Sequence, residues 1–342
     1  MATNLVHFDT ERSHNTIPAP LTWFPAGYPA AIAGVSLAGV NYETVSLLIS
    51  ITSFVCVTWL LWWLMRIMDP SPWAARTAIL CWLLNSQAIS YSVSALSEGL
   101  FTMCGLASLL FLIYADEIGN NPHVWICWMG SGVMAGLSYW VRYAGIVWVL
   151  AFLLFLMVQI VSGNKSKQSR RSAVAAGALL LLLVIPLMIR NEILVGDWKG
   201  GNNTSVELPI KTFVLMSAQV PFHLILGDGT LKQLKFPTIL MSLGLIGLCI
   251  VACRSRASHS VWRLLAGKKG LVLSAFLIYS IGIGAIVLRS PVSYSPRMFV
   301  PVLPHLIGLT TCFVAFGMRY LAARNYGQSL RLAYHYAFCS AM

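Results

Sequence analysis

VSLLISITSFVCVTWLLWWLMRIM, residues 45–68, decides the fold. No charged side chain interrupts it before Arg66. At about 1.5 Å of rise per residue, a helix of this length crosses the roughly 30 Å hydrocarbon core of a bilayer. Eight further apolar runs follow, at approximately 77–93, 99–115, 124–140, 144–161, 172–190, 237–253, 271–289 and 298–317. With 58% hydrophobic and only 10% charged residues, and a mean hydropathy of +0.75, the 342-residue chain lies well outside soluble globular usage. The expected fold is therefore an all-α polytopic membrane protein with about nine transmembrane helices, integral and multi-pass.

The spans leave no interval large enough for a soluble domain, so residues 1–342 are read as one membrane domain. Residues 1–44 form an outer loop, 45–190 a first helix group, 191–236 a second outer loop, 237–317 a second helix group, and 318–342 a cytoplasmic tail. If the spans alternate and the first runs inward, one side receives fourteen of the 23 Lys and Arg, among them Arg66, Arg76, Arg170, Arg171, Lys268 and Lys269. The positive-inside rule assigns that side to the cytoplasm. The net charge of +12 is thus mostly topology, and with no basic stripe interleaved with exposed aromatics, nucleic acid is not expected as a partner.

The outer side carries eight of the eleven acids: Asp9, Glu11, Glu43, Glu98, Glu192, Asp197, Glu207 and Asp228. Glu98 stands alone between Asp69 and Asp116. Its place in an outer turn between two spans is expected to put it near the membrane surface, where a carboxylate stays hydrated. The cysteines form no C-x-x-C pair and the histidines no H-x-x-x-H pair on a helix, so they supply no dedicated metal cage. No P-loop, G-x-G-x-x-G or internal repeat is present.

Four arginines recur at outer helix ends: Arg142 in GLSYWVRYAGI, Arg190 closing LVIPLMIRNE, Arg289 closing GAIVLRSP and Arg297 opening PRMFVPVLP. Interfacial anchoring is one reading of each. The other is phosphate binding, since a guanidinium fork matches phosphate oxygens and the phosphate native to a membrane surface is a lipid headgroup. A membrane enzyme handling a lipid phosphate on the outer face suggests transfer of a sugar from a polyprenyl phosphate to an acceptor hydroxyl, with a carboxylate as general base and cations on the departing phosphate.

At this point the motifs resemble a family. PLTWFPAGYPAAIAGVSLAG (20–39) is similar to a W-P-P-x-Y-P element followed by a short juxtamembrane helix, with Phe24 in place of the first proline. SALSEGLF (94–101) resembles A-L-S-E-P-L-F, with Gly99 at the usual proline; GLSYWVRYAGI (136–146) resembles G-L-A-x-L-T-R-Y-x-G; RNEILVGDW (190–198) resembles R-N-x-x-x-x-G; and RMFVPVLP (297–304) resembles R-Y-x-x-P-x-x-P. Together, in this order, they resemble the GT-C integral-membrane glycosyltransferases, in particular the superfamily of dolichyl-phosphate-mannose protein mannosyltransferases and lipid A aminoarabinose transferases.

The resemblance implies a GT-C helical bundle with outer juxtamembrane helices in a bacterial or archaeal cell membrane. It further implies a polyprenyl-phosphate sugar donor, surrounding membrane lipids, and a lipid, glycan or protein acceptor. Glu98 inherits a place in the active-site cavity, where it holds a divalent cation, positions an acceptor or orients phosphate-binding cations; as a plain helix cap it would instead gain about 0.3–1 kcal/mol from the helix dipole. Arg142 and Arg297 inherit a substrate-side role, Arg190 and Arg289 join them as cations at the same side, and Tyr143 is either a hydrogen-bond donor to substrate or part of the interfacial aromatic belt. Whether a metal is needed stays open.

Family members begin with a transmembrane helix and carry the presumed base in the first outer loop, whereas this sequence opens MATNLVHFDTERSHNT. The first helix is therefore expected to be missing, Asp9 and Glu11 are the acids that could stand in as base, and the 342 residues alone are expected to show little transfer. A secondary transporter or flippase, or an inactive protein of the same fold, are the competing readings. Against a transporter, the charges cluster at helix ends rather than at midplane.

Overall fold

The structure, a computed structural model, describes residues 25–196 except 70, 95, 119–120 and 163–165, together with 7–8, 19–20, Val272, Ala275, Tyr279, Pro301 and 303–323. Nine α-helices are delimited among the described residues: α1 Gly27–Ser36, α2 Tyr42–Met68, α3 Pro72–Leu83, α4 Ser86–Ser92, α5 Glu98–Ile118, α6 Val124–Val141, α7 Ile146–Ser162, α8 Lys167–Val195 and α9 Leu303–Ala323. A 3-10 turn, Tyr143–Gly145, joins α6 to α7, and a two-residue antiparallel ladder pairs His7–Phe8 with Ala19–Pro20.

Helices α2, α5, α6 and α8 are each long and apolar enough to cross a membrane. The chain is an all-α polytopic membrane protein. Its surface agrees with a lipid environment: Val55, Trp59, Leu154, Met157, Leu182 and Ile189 are exposed along the helices, where in water they would form an aggregation-prone patch. The expected span at 237–253 lies outside the described residues, and that at 271–289 is represented by three buried helical residues alone.

One expectation about boundaries is corrected. The run at 77–93 is not one helix but two, α3 and α4, interrupted at Leu84–Asn85. Asn85 takes an extended backbone conformation and its side chain accepts a 2.9 Å hydrogen bond from Ala88 N, starting a new helix inside an apolar run. Asn85→Ala should lower thermal stability by about 1 kcal/mol, read as a lower unfolding temperature in detergent, because the amide of Ala88 loses its cap. At the far end of the described stretch, α8 continues to Val195 and stops at Gly196, whose φ of 71° is the left-handed conformation that ends helices.

Helices in lipid gain no hydrophobic driving force from meeting, so close approach of small residues and buried hydrogen bonds hold them. Between α5 and α6 the hydroxyl of Ser108 donates to the Ser131 carbonyl at 3.0 Å, and that of Ser131 to the Ser108 carbonyl at 2.9 Å. At Gly132 a Cβ would lie 2.8 Å from the Ala176 carbonyl oxygen, so α6 and α8 meet there backbone to side-chain-free backbone. One apolar core gathers α2, α3, α5, the start of α7 and α9; another gathers α5, α6, α7 and α8. Both include residues of α5, which places the first residue of that helix, Glu98, at the junction of the bundle.

Candidate active site

Glu98 begins α5, after Ser97 has contributed its carbonyl to the first turn by accepting from Phe101 N at 2.9 Å. The expectation of a hydrated surface carboxylate is not met: Glu98 is 2% exposed. It is buried because a cation meets it. Arg142 Nη1 lies 2.5 Å from Glu98 Oε1, with the Arg142 side chain 24% exposed, and the same nitrogen reaches Ser97 Oγ at 3.4 Å. An isolated buried carboxylate would be strongly disfavoured, and pairing is what makes this burial possible.

The backbone around Arg142 explains why it can turn toward Glu98. Arg142 ends α6 in extended conformation, φ −150° and ψ 138°, and the next three residues make the 3-10 turn. The turn folds back tightly on α6. A Cβ at Gly145 would sit 2.4 Å from both the Ser138 carbonyl carbon and Tyr139 N, so only glycine admits this approach. Without the turn, α6 would run on and carry the guanidinium past its partner.

Beside the ion pair lies a second polar group. Tyr143 and Asn191 exchange hydrogen bonds, Tyr143 OH to Asn191 Oδ1 at 3.3 Å and Asn191 Nδ2 to Tyr143 OH at 3.1 Å, and Arg190 Nη1 donates to Asn191 Oδ1 at 3.2 Å. Burial pushes the Tyr143 phenol up, opposed by its bond to Asn191 and by the Arg190 charge. The phenol therefore stays protonated at neutral pH and remains able to donate. The structure thus brings Glu98, Arg142, Tyr143 and Arg190 to one end of the bundle, formed by the start of α5 and the ends of α6 and α8. Asp9, Glu11, Arg289 and Arg297 lie outside the described residues. Among the described residues no three His, Cys, Asp or Glu side chains converge as a metal-ligand set.

Two participants were not picked out from the sequence. Ser97 and Asn191 each adjoin a residue that was, and both lie within the quoted motifs. Further into the bundle, the scattered histidines hide one of note: His305 is fully buried and its ring lies 5.3 Å from that of Trp148, which in turn lies 5.5 Å from Tyr279.

A family model, dolichyl-phosphate-mannose-protein mannosyltransferase, matches residues 25–189, the stretch that holds Glu98 and Arg142. The crystal structure of ArnT from Cupriavidus metallidurans in the apo state superposes on the chain with a TM-score of 0.55 at 15% identity, covering 90% of this chain. This is the GT-C fold. The GT-C bundle of this chain spans about half of the ArnT chain it matches, 54% of that length. Among curated proteins none matches the chain.

Proposed function

We propose that the chain is a glycosyltransferase that moves a sugar from a polyprenyl-phosphate donor to a lipid, glycan or protein acceptor on the outer face of the membrane. The observation that carries this reading is the Glu98–Arg142 pair: a buried carboxylate fixing one nitrogen of a guanidinium that is itself about a quarter exposed, at the helix ends where a lipid headgroup would arrive. A guanidinium offers five N–H donors in a planar fork, and the contacts to Glu98 and Ser97 use one nitrogen. The remaining edge suits phosphate oxygens. Held in place before the reaction, it stabilises the negative charge that develops on the departing phosphate.

In this scheme Glu98 positions Arg142, and Arg190, aligned by Asn191, supplies a second cation. The proton of the acceptor hydroxyl passes to a carboxylate, for which Asp9 and Glu11 are the proposed candidates. The outer-face assignment rests on the charge asymmetry of the loops.

The reading is tested by reconstituting the chain, and a version extended at its N-terminus, with radiolabelled polyprenyl-phosphate sugar and a cell-envelope acceptor extract. Transfer of label by at least one of the two forms is expected, and in that form it should be at least about tenfold slower with Glu98→Gln, a loss equivalent to about 1.4 kcal/mol of barrier. Absence of transfer by both forms would favour an inactive protein of the same fold. Reporter fusions check orientation: a fusion at 163–165 should report cytoplasmic and one at 197 external, and the reverse would place the pair on the wrong side.

A further inference from the structure

The end of the bundle opposite Glu98 carries another pair of arginines. Helices α2 and α3 form an antiparallel hairpin whose register is fixed by Trp82: its ring stacks on Phe54 at 5.4 Å and its Nε1 donates to Thr58 Oγ1 at 3.1 Å. At 1.5 Å of rise per residue, Arg66 is about 12 Å past Thr58 and Arg76 about 9 Å before Trp82, so the two reach nearly the same depth. Turning by about 100° per residue from the Thr58–Trp82 contact carries both to one side of the hairpin. Both are exposed, Arg66 in the last turn of α2 and Arg76 in the second turn of α3. Packed helices lie about 8–10 Å apart, within the combined reach of two arginine side chains.

On that side α2 presents an exposed stripe of Leu48, Ile51, Val55, Trp59, Trp62 and Arg66, spaced at three and four residues as one helix face requires. Helix α9 covers the other side, where Leu64 and Met65 are fully buried and a Cβ on Gly308 would lie 3.3 Å from Met65 Sδ. The Arg66 guanidinium carbon lies 5.8 Å from the centroid of the Trp62 ring. Trp62 and Trp59 both lean edge-on against Trp63, at 6.0 and 5.7 Å, and Trp63 meets Tyr114 of α5 at 5.7 Å. The cation therefore rests on a packed aromatic platform. Among the described residues no carboxylate pairs with Arg66 or Arg76. Asp69, the acid at the bend, is fully buried and accepts from Ser71 N at 2.9 Å, while Asp116 and Glu117 at this end of α5 have partners of their own.

We propose that this face of the α2–α3 hairpin binds an anionic phospholipid, its phosphodiester between the Arg66 and Arg76 guanidiniums and an acyl chain along Trp59, Val55 and Ile51. The apolar stripe alone would accept any lipid chain. Selection comes from the two cations at one depth, because a guanidinium fork matches the unbridged oxygens of a phosphodiester and tryptophan suits the boundary between headgroup and chain. A choline or ethanolamine headgroup would bring an ammonium toward the arginines, so an amine-free headgroup such as that of phosphatidylglycerol is favoured. A second copy of the chain, held in the same orientation by the membrane, would bring the same cations to the same depth and be repelled. The site is distinct from the Glu98–Arg142 end, and the inference does not depend on the glycosyltransferase reading.

The test is native mass spectrometry of the full chain in detergent micelles, titrated with phosphatidylglycerol or with phosphatidylcholine of the same acyl chains. The wild type should bind its first phosphatidylglycerol at least about fivefold more tightly than phosphatidylcholine. Arg66→Gln/Arg76→Gln should weaken phosphatidylglycerol about tenfold and change phosphatidylcholine by less than about twofold. Arg66→Lys/Arg76→Lys keeps both charges and loses both forks, and should weaken phosphatidylglycerol about threefold. Arg170→Gln/Arg171→Gln removes two exposed cations at the start of α8 and should leave both affinities within about twofold of wild type. Equal affinity of the wild type for the two lipids would overturn the proposal, as would unchanged phosphatidylglycerol binding in either variant of the hairpin pair. An equal loss in the α8 variant would also overturn it, reducing the effect to net charge. If the glutamine pair fails to fold, the lysine pair, which preserves charge at the same exposed positions, decides.

Discussion

Gly145→Ala is expected to remove most of the folded protein from the membrane fraction. The added Cβ would meet the Ser138 carbonyl carbon and Tyr139 N, each at 2.4 Å. Those are backbone atoms of α6, and unlike the tip of a flexible side chain they yield only if the helix itself moves. Overpacking of this kind typically costs about 1–3 kcal/mol, and occasionally more when backbone must shift. Total stabilities are only about 5–15 kcal/mol, so this is a large fraction. The same displacement would pull Arg142, three residues earlier, away from Glu98. Gly34→Ala is the matched control: nothing lies within 4 Å of a Cβ built there, and it sits within α1. It should be neutral or gain up to about 1 kcal/mol of helix propensity. Fluorescence-detected size exclusion and thermal unfolding of the two variants in one detergent make the comparison.

Arg142→Met should be the second large effect. It leaves Glu98, 2% exposed, without its cation. Removing one partner of a buried ion pair costs about 3–5 kcal/mol. Arg142 is itself 24% exposed, so water screens part of the attraction and the low end of that range is expected. The double variant Glu98→Gln/Arg142→Met should recover much of the loss, because the amide no longer brings a charge into the interior. A double-mutant cycle by thermal unfolding therefore predicts strong coupling between the two positions. Additive effects would mean that the pair is not what stabilises this end of the bundle.

What the sequence made legible follows from what hydropathy can see. The boundaries of α2, α5 and α6 lie within a few residues of the apolar runs at 45–68, 99–115 and 124–140, because uninterrupted apolar length is itself the signal for a span. The break at Asn85 escaped that reading, since one asparagine hardly lowers the mean hydropathy of a window but its side chain can end one helix and start another. The burial of Glu98 escaped it for a different reason. Position in an outer turn says nothing of depth, and the partner that makes burial tolerable is on another helix. The R-Y-x-G motif shows the reverse case: Gly145 stood in plain view, and its role became clear only when the turn was seen to press against Ser138 and Tyr139.

The central claim is that Arg142, held by Glu98, is a ligand for lipid phosphate. The measurement that bears on it most directly is binding of radiolabelled polyprenyl-phosphate hexose to the full chain in nanodiscs, compared between wild type and Arg142→Lys. Lysine keeps the charge and loses the planar fork. The account predicts affinity weaker by about tenfold, equivalent to about 1.4 kcal/mol, with the amount of folded protein nearly unchanged. Undiminished affinity in Arg142→Lys, or a loss of binding matched by an equal loss of folded protein, would contradict it and return Arg142 to the role of a structural anchor.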